Sequence, residues 1–178
     1  MNTAIGVVVI GRNEGARLES CLVSLIGTAD KIVYVDSGST DESVSMAQRL
    51  GIEVVALDMA RPFTAARARN EGFASLLRLQ PGIRFVQFVD GDCEVVAGWL
   101  SKAHTFLQEH PAVAVACGRR RERFPQRSIY NLLCDLEWDT PVGEAQACGG
   151  DALTRAAAFA AMNGFRPDLI AGQEPEHR

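Results

Sequence analysis

The constraint that most narrows the fold is an alternation of short β-branched runs with longer stretches of helical periodicity. Residues 5–10, IGVVVI, read as a strand. Over 14–25, Leu18, Leu22 and Leu25 share one helical face. KIVYV at 31–35 predicts a second strand. Ser39 or Thr40 is placed to cap a helix reaching about Leu50, because a small polar side chain accepts hydrogen bonds from exposed first-turn amides. Residues 52–57 predict a third strand, 64–79 a helix broken by Pro81-Gly82, 84–89 a fourth strand, 96–109 a helix and 112–117 a fifth strand. This rhythm predicts an α/β fold with a mostly parallel central sheet and helices on both faces. After Gly118 the rhythm stops and no regular element is assigned.

The 178 residues suit one domain. A net charge of -4 argues against a general nucleic-acid binder. The first residues, MNTAIGVVVIGRNE, lack the basic and long apolar regions of a signal peptide, and no apolar run is long enough to span a bilayer. Five scattered cysteines with no CxxC pair suggest neither a zinc site nor a disulfide framework, and point to a reducing cytoplasm. Arg119, Arg120, Arg121, Arg123 and Arg127 form either a solvated loop or a patch that attracts a phosphate-bearing substrate or lipid head group. The last residues, GQEPEHR, show no closing element, which predicts a domain truncated at Arg178.

In an open parallel sheet, ligands bind beyond the carboxyl ends of the strands. The residues there are Gly11-Arg12-Asn13-Glu14, then Asp36 through Asp41, then Asp58, then Asp90-Gly91-Asp92. Asp90 and Asp92, two apart on extended chain, can face one pocket, with Gly91 letting the backbone approach a ligand. Neighbouring carboxylates repel unless a cation sits beside them, and hard oxygen ligands suit Mg²⁺ or Mn²⁺ completed by water and substrate phosphate. Arg67, Arg69 and Asn70 stand near the start of the 64–79 helix. The two arginines either contact phosphate oxygens or solvate an exposed helix face.

With these residues assembled, the chain resembles the family-2 glycosyltransferases, whose nucleotide-binding domain has the Rossmann-like GT-A fold. VVVIGRNEGARLESCL, IVYVDSGSTDES, ARARNEG, FVDGDCEV, ACGGDALTRAAAFAAMNGF and AGQEPEHR carry the resemblance in order. It implies that Asn13, Glu14, Asp36, Arg69, Asn70 and Asp90 bind a nucleotide-diphosphate sugar donor. It implies that Asp92, with Asp90, binds Mg²⁺ or Mn²⁺. Gly149, Gly150 and Asp151 then lie on the acceptor side, and Glu174 is the catalytic base. Gln173 stands where an acid is common in the family, and Glu176 is a substitute base. The implied division is a nucleotide-sugar-binding part over 1–118 and the start of an acceptor-binding part over 119–178. The implied activity is inverting transfer to a saccharide or lipid-linked acceptor in polysaccharide, lipid-linked glycan or glycolipid synthesis. It would take place in the cytoplasm, with peripheral contact at the cytoplasmic face of the membrane.

Rival readings are a nucleotide-sugar-binding module without turnover, an inactive fragment, and a sugar nucleotidyltransferase. Gly11-Arg12-Asn13-Glu14-Gly15 is a poor match to the Gly-rich loop of the last. No GxGxxG follows the first strand, which argues against a dinucleotide oxidoreductase. His104 and His110 read as surface or helix-end residues, His177 as a phosphate contact or a chain-end residue, and Trp99 and Phe124 as packing residues. Trp138, among Asp135, Glu137 and Asp139, is the candidate platform for a sugar face.

Overall fold

The structure is a computed structural model that describes residues 4–145, 148 and 151–166. Its elements run β1 (Ile5–Gly11), α1 (Ala16–Leu25), β2 (Lys31–Asp36), α2 (Ser43–Arg49), β3 (Glu53–Ala56), α3 (Ala65–Leu79), β4 (Phe85–Asp90), α4 (Trp99–Glu109), β5 (Val115–Cys117), α5 (Ile129–Glu137), β6 (Ala152–Arg155) and α6 (Ala156–Ala161). The sheet order is β3-β2-β1-β4-β6-β5. β1 pairs in parallel with β2 and β4, and β2 with β3. The expected mostly parallel α/β sheet is therefore present.

Successive residues of β1 serve opposite faces, as a pleated strand requires. Ile5, Val7 and Val9 join α1, α2 and α4 in one core, whereas Val8 and Ile10 join α3 and α6 in the other. On α1, the i, i+3, i+4, i+7 spacing of Leu18, Cys21, Leu22 and Leu25 puts all four fully inside. Burying each leucine contributes about 1.5–3 kcal/mol relative to exposure. Thr64 caps α3 by accepting from the Arg67 amide. No helix among the described residues is long and apolar enough to cross a membrane.

The structure corrects one expectation and adds to two. α2 begins at Ser43 rather than after Ser39 or Thr40, because both of those residues are drawn into a cross-loop contact with Asn13. Residues 112–117 supply the fifth strand, and it runs in the same direction as β4, but it does not pair with β4 directly. β5 runs antiparallel to β6, and β6 inserts between β5 and β4, antiparallel to both. Past Gly118, where no element was assigned, the chain carries α5, β6 and α6, and β6 joins the sheet begun by the first 118 residues. None of the residues of α5 is fully buried, and Ile129, Tyr130, Leu132, Leu133 and Leu136 are exposed.

α3 lies unusually close to β1, and glycine makes this possible. A Cβ on Gly72 would stand 2.4 Å from Val8 Cγ1 and 2.7 Å from Val35 Cγ2. Both valines are fully buried on central strands and have no room to yield. Gly72→Ala should therefore lower stability by about 1–2 kcal/mol in urea unfolding. With two contacts under 3.0 Å the overpacking cost lies at the upper end of its range, about 2–3 kcal/mol, and exceeds the roughly 1 kcal/mol that alanine gains in a helix. An unchanged or higher urea midpoint would show that α3 is free to move off β1.

Candidate active site

The parallel register puts the ends of three strands level. Gly11 pairs with Asp36 and Ile10 with Asp90, so the loops after β1, β2 and β4 open on one edge of the sheet. Asn13 links the first two loops. Its backbone lies in the left-handed region at φ 56°, its amide donates to Ser39 Oγ at 2.9 Å, and its Oδ1 accepts from the Thr40 amide at 2.7 Å.

Asp36 is buried, and its carboxylate organises the second loop. Oδ2 accepts from the amides of Gly38 and Ser39, both at 3.0 Å, and Oδ1 accepts from the Tyr34 hydroxyl at 3.0 Å. Its established contacts are those of a turn former, with lone-pair capacity left on Oδ1. Glu14 lies within electrostatic reach of the other acids. Burial pushes its carboxyl pKa up, Arg17 at 2.7 Å pulls it back, and Asp92, Asp41 and Asp90 push it up further. Gly91 does not leave open space for a ligand. A Cβ there would meet Ile10 O at 3.1 Å, Leu18 at 3.3 Å and Glu14 at 3.4 Å, so this close approach is to the protein itself.

The cation beside Asp90 is Arg69. Its Nη2 donates to Asp90 Oδ1 at 2.7 Å. Arg69 is thus neither on an exposed helix face nor free, and its buried Nε has no protein partner among the described residues. Arg67 also departs from both readings of it. It is buried, it donates to the carbonyls of Asp58, Arg61 and Pro62, and it pairs with Glu71, tying down the loop that enters α3. Asp92 is exposed and accepts a weak hydrogen bond from Cys93 Sγ at 3.5 Å. Among the described residues no cluster of three or more His, Cys, Asp or Glu side chains is arranged for a metal. Two carboxylates with open oxygens still fit an ion of the Mg²⁺ type, which draws most of its ligands from water and substrate phosphate.

Asn70 has a role the sequence did not signal. Its side-chain amide makes two bonds to one residue, donating to Phe165 O at 2.8 Å and accepting from Phe165 N at 2.9 Å. Phe165 in turn roofs Arg69, with the guanidinium carbon 5.6 Å from the ring centre, and packs on Phe88 and Phe159. Gly164 permits this closure: its φ is 74°, and a Cβ would stand 2.5 Å from Asn70 Oδ1. The Asn163-Gly164 dipeptide was the available sequence signal, since it marks a turn.

From the far side, Asp151 reaches the same region. Burial raises its carboxyl pKa, Arg120 at 4.0 Å lowers it, and Asp90 raises it. The arginine cluster is largely spent on the protein's own acids: Arg119 on Asp135 and Asp139, Arg121 on Asp135, Arg120 on Asp151, and Arg123 on Glu94. It is neither a purely solvated loop nor an open anion patch. Arg120 also lies over the Trp138 ring at 5.3 Å, so this partner competes with a sugar for the indole. Trp99 donates to Gln87 and packs on Gly118, and His110 stacks on Phe106 at a helix end, in line with their expected roles, whereas His104 is neither a surface nor a helix-end residue: it stands in the middle of α4, half-buried, and meets Phe85 edge-on. Gly149, Gly150, Gln173, Glu174, Glu176 and His177 lie outside the described residues.

The family description "Glycosyl transferase family 2" matches residues 6–162. A Rickettsia bellii (strain RML369-C) protein called an uncharacterized glycosyltransferase is 43% identical over 51 residues, which is 29% of this chain and 17% of that protein. A TPR repeat-containing protein of Synechococcus elongatus is 26% identical over 110 residues, 62% of this chain and 26% of that protein. Glucosyl-3-phosphoglycerate synthase of Mycobacterium tuberculosis, in complex with uridine diphosphate, superposes with a TM-score of 0.62 at 22% identity, covering 87% of this chain and 57% of that one. The same enzyme with Mn²⁺, UDP-glucose and phosphoglyceric acid gives 0.61. The likeness to these structures shows the fold, and the chain spans little more than half their length and about a fifth of the curated relatives.

Removing the Asn70 amide leaves both Phe165 backbone groups without their partner. Asn70→Ala should cost about 1–3 kcal/mol in urea unfolding. Amide exchange at Phe165 should accelerate more than at Leu76 on the same helix. Full protection of the Phe165 amide in the variant would mean that this clamp does not hold the turn.

Proposed function

Because the chain belongs to glycosyl transferase family 2, we propose that it carries the donor-binding part of an enzyme that moves a sugar from a nucleoside-diphosphate sugar to an acceptor hydroxyl. The observation that carries this reading is Asp90-Gly91-Asp92 at the carboxyl end of β4, with Arg69 on Asp90 and the loops of β1 and β2 alongside. Family membership sets aside the nucleotidyltransferase alternative.

Asp92, with the oxygen of Asp90 not taken by Arg69, would hold Mg²⁺ or Mn²⁺. A divalent ion bound there supplies positive charge to the diphosphate leaving group. The Mn²⁺ complex of the Mycobacterium tuberculosis enzyme supports this. Arg69 neutralises Asp90 and offers its remaining donors to phosphate oxygens. Asp36, Asn13 and Glu14 shape the base and ribose end of the cleft: Asp36 and Asn13 by fixing their loops, Glu14 by offering a carboxylate to hydroxyls. Asp151, Gly149 and Gly150 would serve the acceptor end. Glu174 takes the acceptor hydroxyl's proton as that oxygen attacks the anomeric carbon, and a single displacement inverts the configuration. Bound phosphoglyceric acid in the structural neighbour supports a small hydroxyl acceptor; a saccharide or lipid-linked hydroxyl would enter the same way.

The test begins with uridine diphosphate binding by calorimetry, in Mn²⁺ and in chelator. Affinity should be higher with Mn²⁺, and Asp92→Asn should remove at least tenfold of it, about 1.4 kcal/mol. Equal affinity in chelator and in Mn²⁺ would sink the metal role.

The base is tested on a protein that turns over. Glu174→Gln should lower kcat by roughly 10²–10⁴ with donor affinity nearly unchanged, because proton removal contributes only in the transition state. Glu176→Gln should do much less. If Glu176→Gln abolishes turnover and Glu174→Gln does not, the base lies two residues later. A second reading is donor binding without transfer. Binding in Mn²⁺ with no sugar released or transferred would select it.

A further inference from the structure

The chain has five cysteines, and nothing in their spacing pairs them. The fold does. Cys148 Sγ lies 2.9 Å from Cys117 Sγ, although the residues are 31 apart in sequence. The strand register explains the meeting. Cys117 is the last residue of β5 and pairs with Ala152, the first residue of β6. Cys148 stands four residues before Ala152, where the long connection carrying α5 returns to the sheet. The two thiols therefore sit at the base of that connection, one on each side. Both are half-buried, so a small reagent can reach them.

The remaining cysteines differ. Cys21 is fully buried, and burial raises its thiol pKa strongly, with Cys93 and the nearby acids adding to the rise. Burial, then Asp92 and Asp90, push Cys93 up to about 12, which keeps it protonated and slow to react. Cys134 lies on α5 within the connection.

We propose that Cys117 and Cys148 form an oxidation site that a small-molecule disulfide, such as oxidised glutathione, closes into an intramolecular disulfide. One thiolate attacks a glutathione sulfur, forming a mixed disulfide and expelling one glutathione thiolate. The other cysteine then attacks the protein sulfur of the mixed disulfide. The Sγ–Sγ bond forms and the second glutathione leaves. Two electrons pass to the oxidant, and the two protons lost by the cysteines end on the two glutathione thiols. Closure needs the sulfurs to move less than about 1 Å, since a disulfide bond is about 2.05 Å long. The staple ties the chain three residues before Arg120 to the chain three residues before Asp151, on either side of their ion pair. This site does not depend on the transferase reading, and its test uses no sugar donor.

The purified chain is held in excess oxidised glutathione or in excess dithiothreitol, then unfolded, alkylated and mapped by mass spectrometry. Oxidation should remove two of the five thiols. It should lower the mass by two hydrogens and yield a tryptic peptide linking Cys117 to Cys148. Dithiothreitol should reverse all three changes. The bond should persist in Cys134→Ser and vanish in both Cys117→Ser and Cys148→Ser, with urea midpoints showing that each variant is folded. A chain that keeps five thiols, a stable glutathione adduct on either residue, or a bond that includes Cys134 would each overturn the proposal.

Discussion

β1 is hydrogen-bonded on both sides to parallel strands, and the site depends on that register. With Gly11 opposite Asp36 and Ile10 opposite Asp90, three loops leave the sheet at one level. The alternation along β1 is what holds the register. Val7 and Val9 fill one core while Val8 and Ile10 fill the other, so a slip of one residue would exchange every contact between two differently shaped layers. Gly72 adds a second lock, because α3 can seat only where Val8 and Val35 meet a residue without a side chain. Arg69 reaches Asp90 because α3 is seated there.

The cleft concentrates acids, and the protein answers most of them internally. Arg17 meets Glu14, Arg69 meets Asp90 and Arg120 meets Asp151, while Asp36 is surrounded by donors from its own turn. Asp92 differs: it is exposed, and among the described residues its hydrogen-bond donor is a weak thiol. An acid left this way beside Glu14 and Asp90 raises the local negative potential, which favours a cation or a cationic complex over a bare anion.

Much of this was legible in the sequence. The first four strands, the helices between them and the Asp-Gly-Asp at a strand end follow from β-branched runs, 3.6-residue periodicity and turn residues, all of which are local signals. What was missed depends on partners distant in sequence. Ser39 and Thr40 looked like caps for α2, but a better acceptor and donor in Asn13 drew them away. Arg67 looked like a surface or phosphate-binding residue because its carbonyl partners come from an irregular loop. Asn70 looked like a ligand contact, although both its bonds go to a residue 95 positions later. β6 carries four residues and almost no pattern of its own, so its place between β4 and β5 follows from tertiary pairing alone.

That insertion has a consequence for how the chain matures on the ribosome. β1 to β4 can assemble as soon as β4 emerges, since each pairs with a strand already made. β5 cannot join them: its pairing in the sheet is with β6, which is synthesised later. Until β6 arrives, the outer edge of β4 is an open row of backbone donors and acceptors, flanked by the apolar side chains of Phe85 and Phe88. Such an edge invites pairing with another nascent chain. Among the described residues, the strand translated last is thus the one that covers this edge, and the interval before its arrival leaves the edge exposed to misassembly.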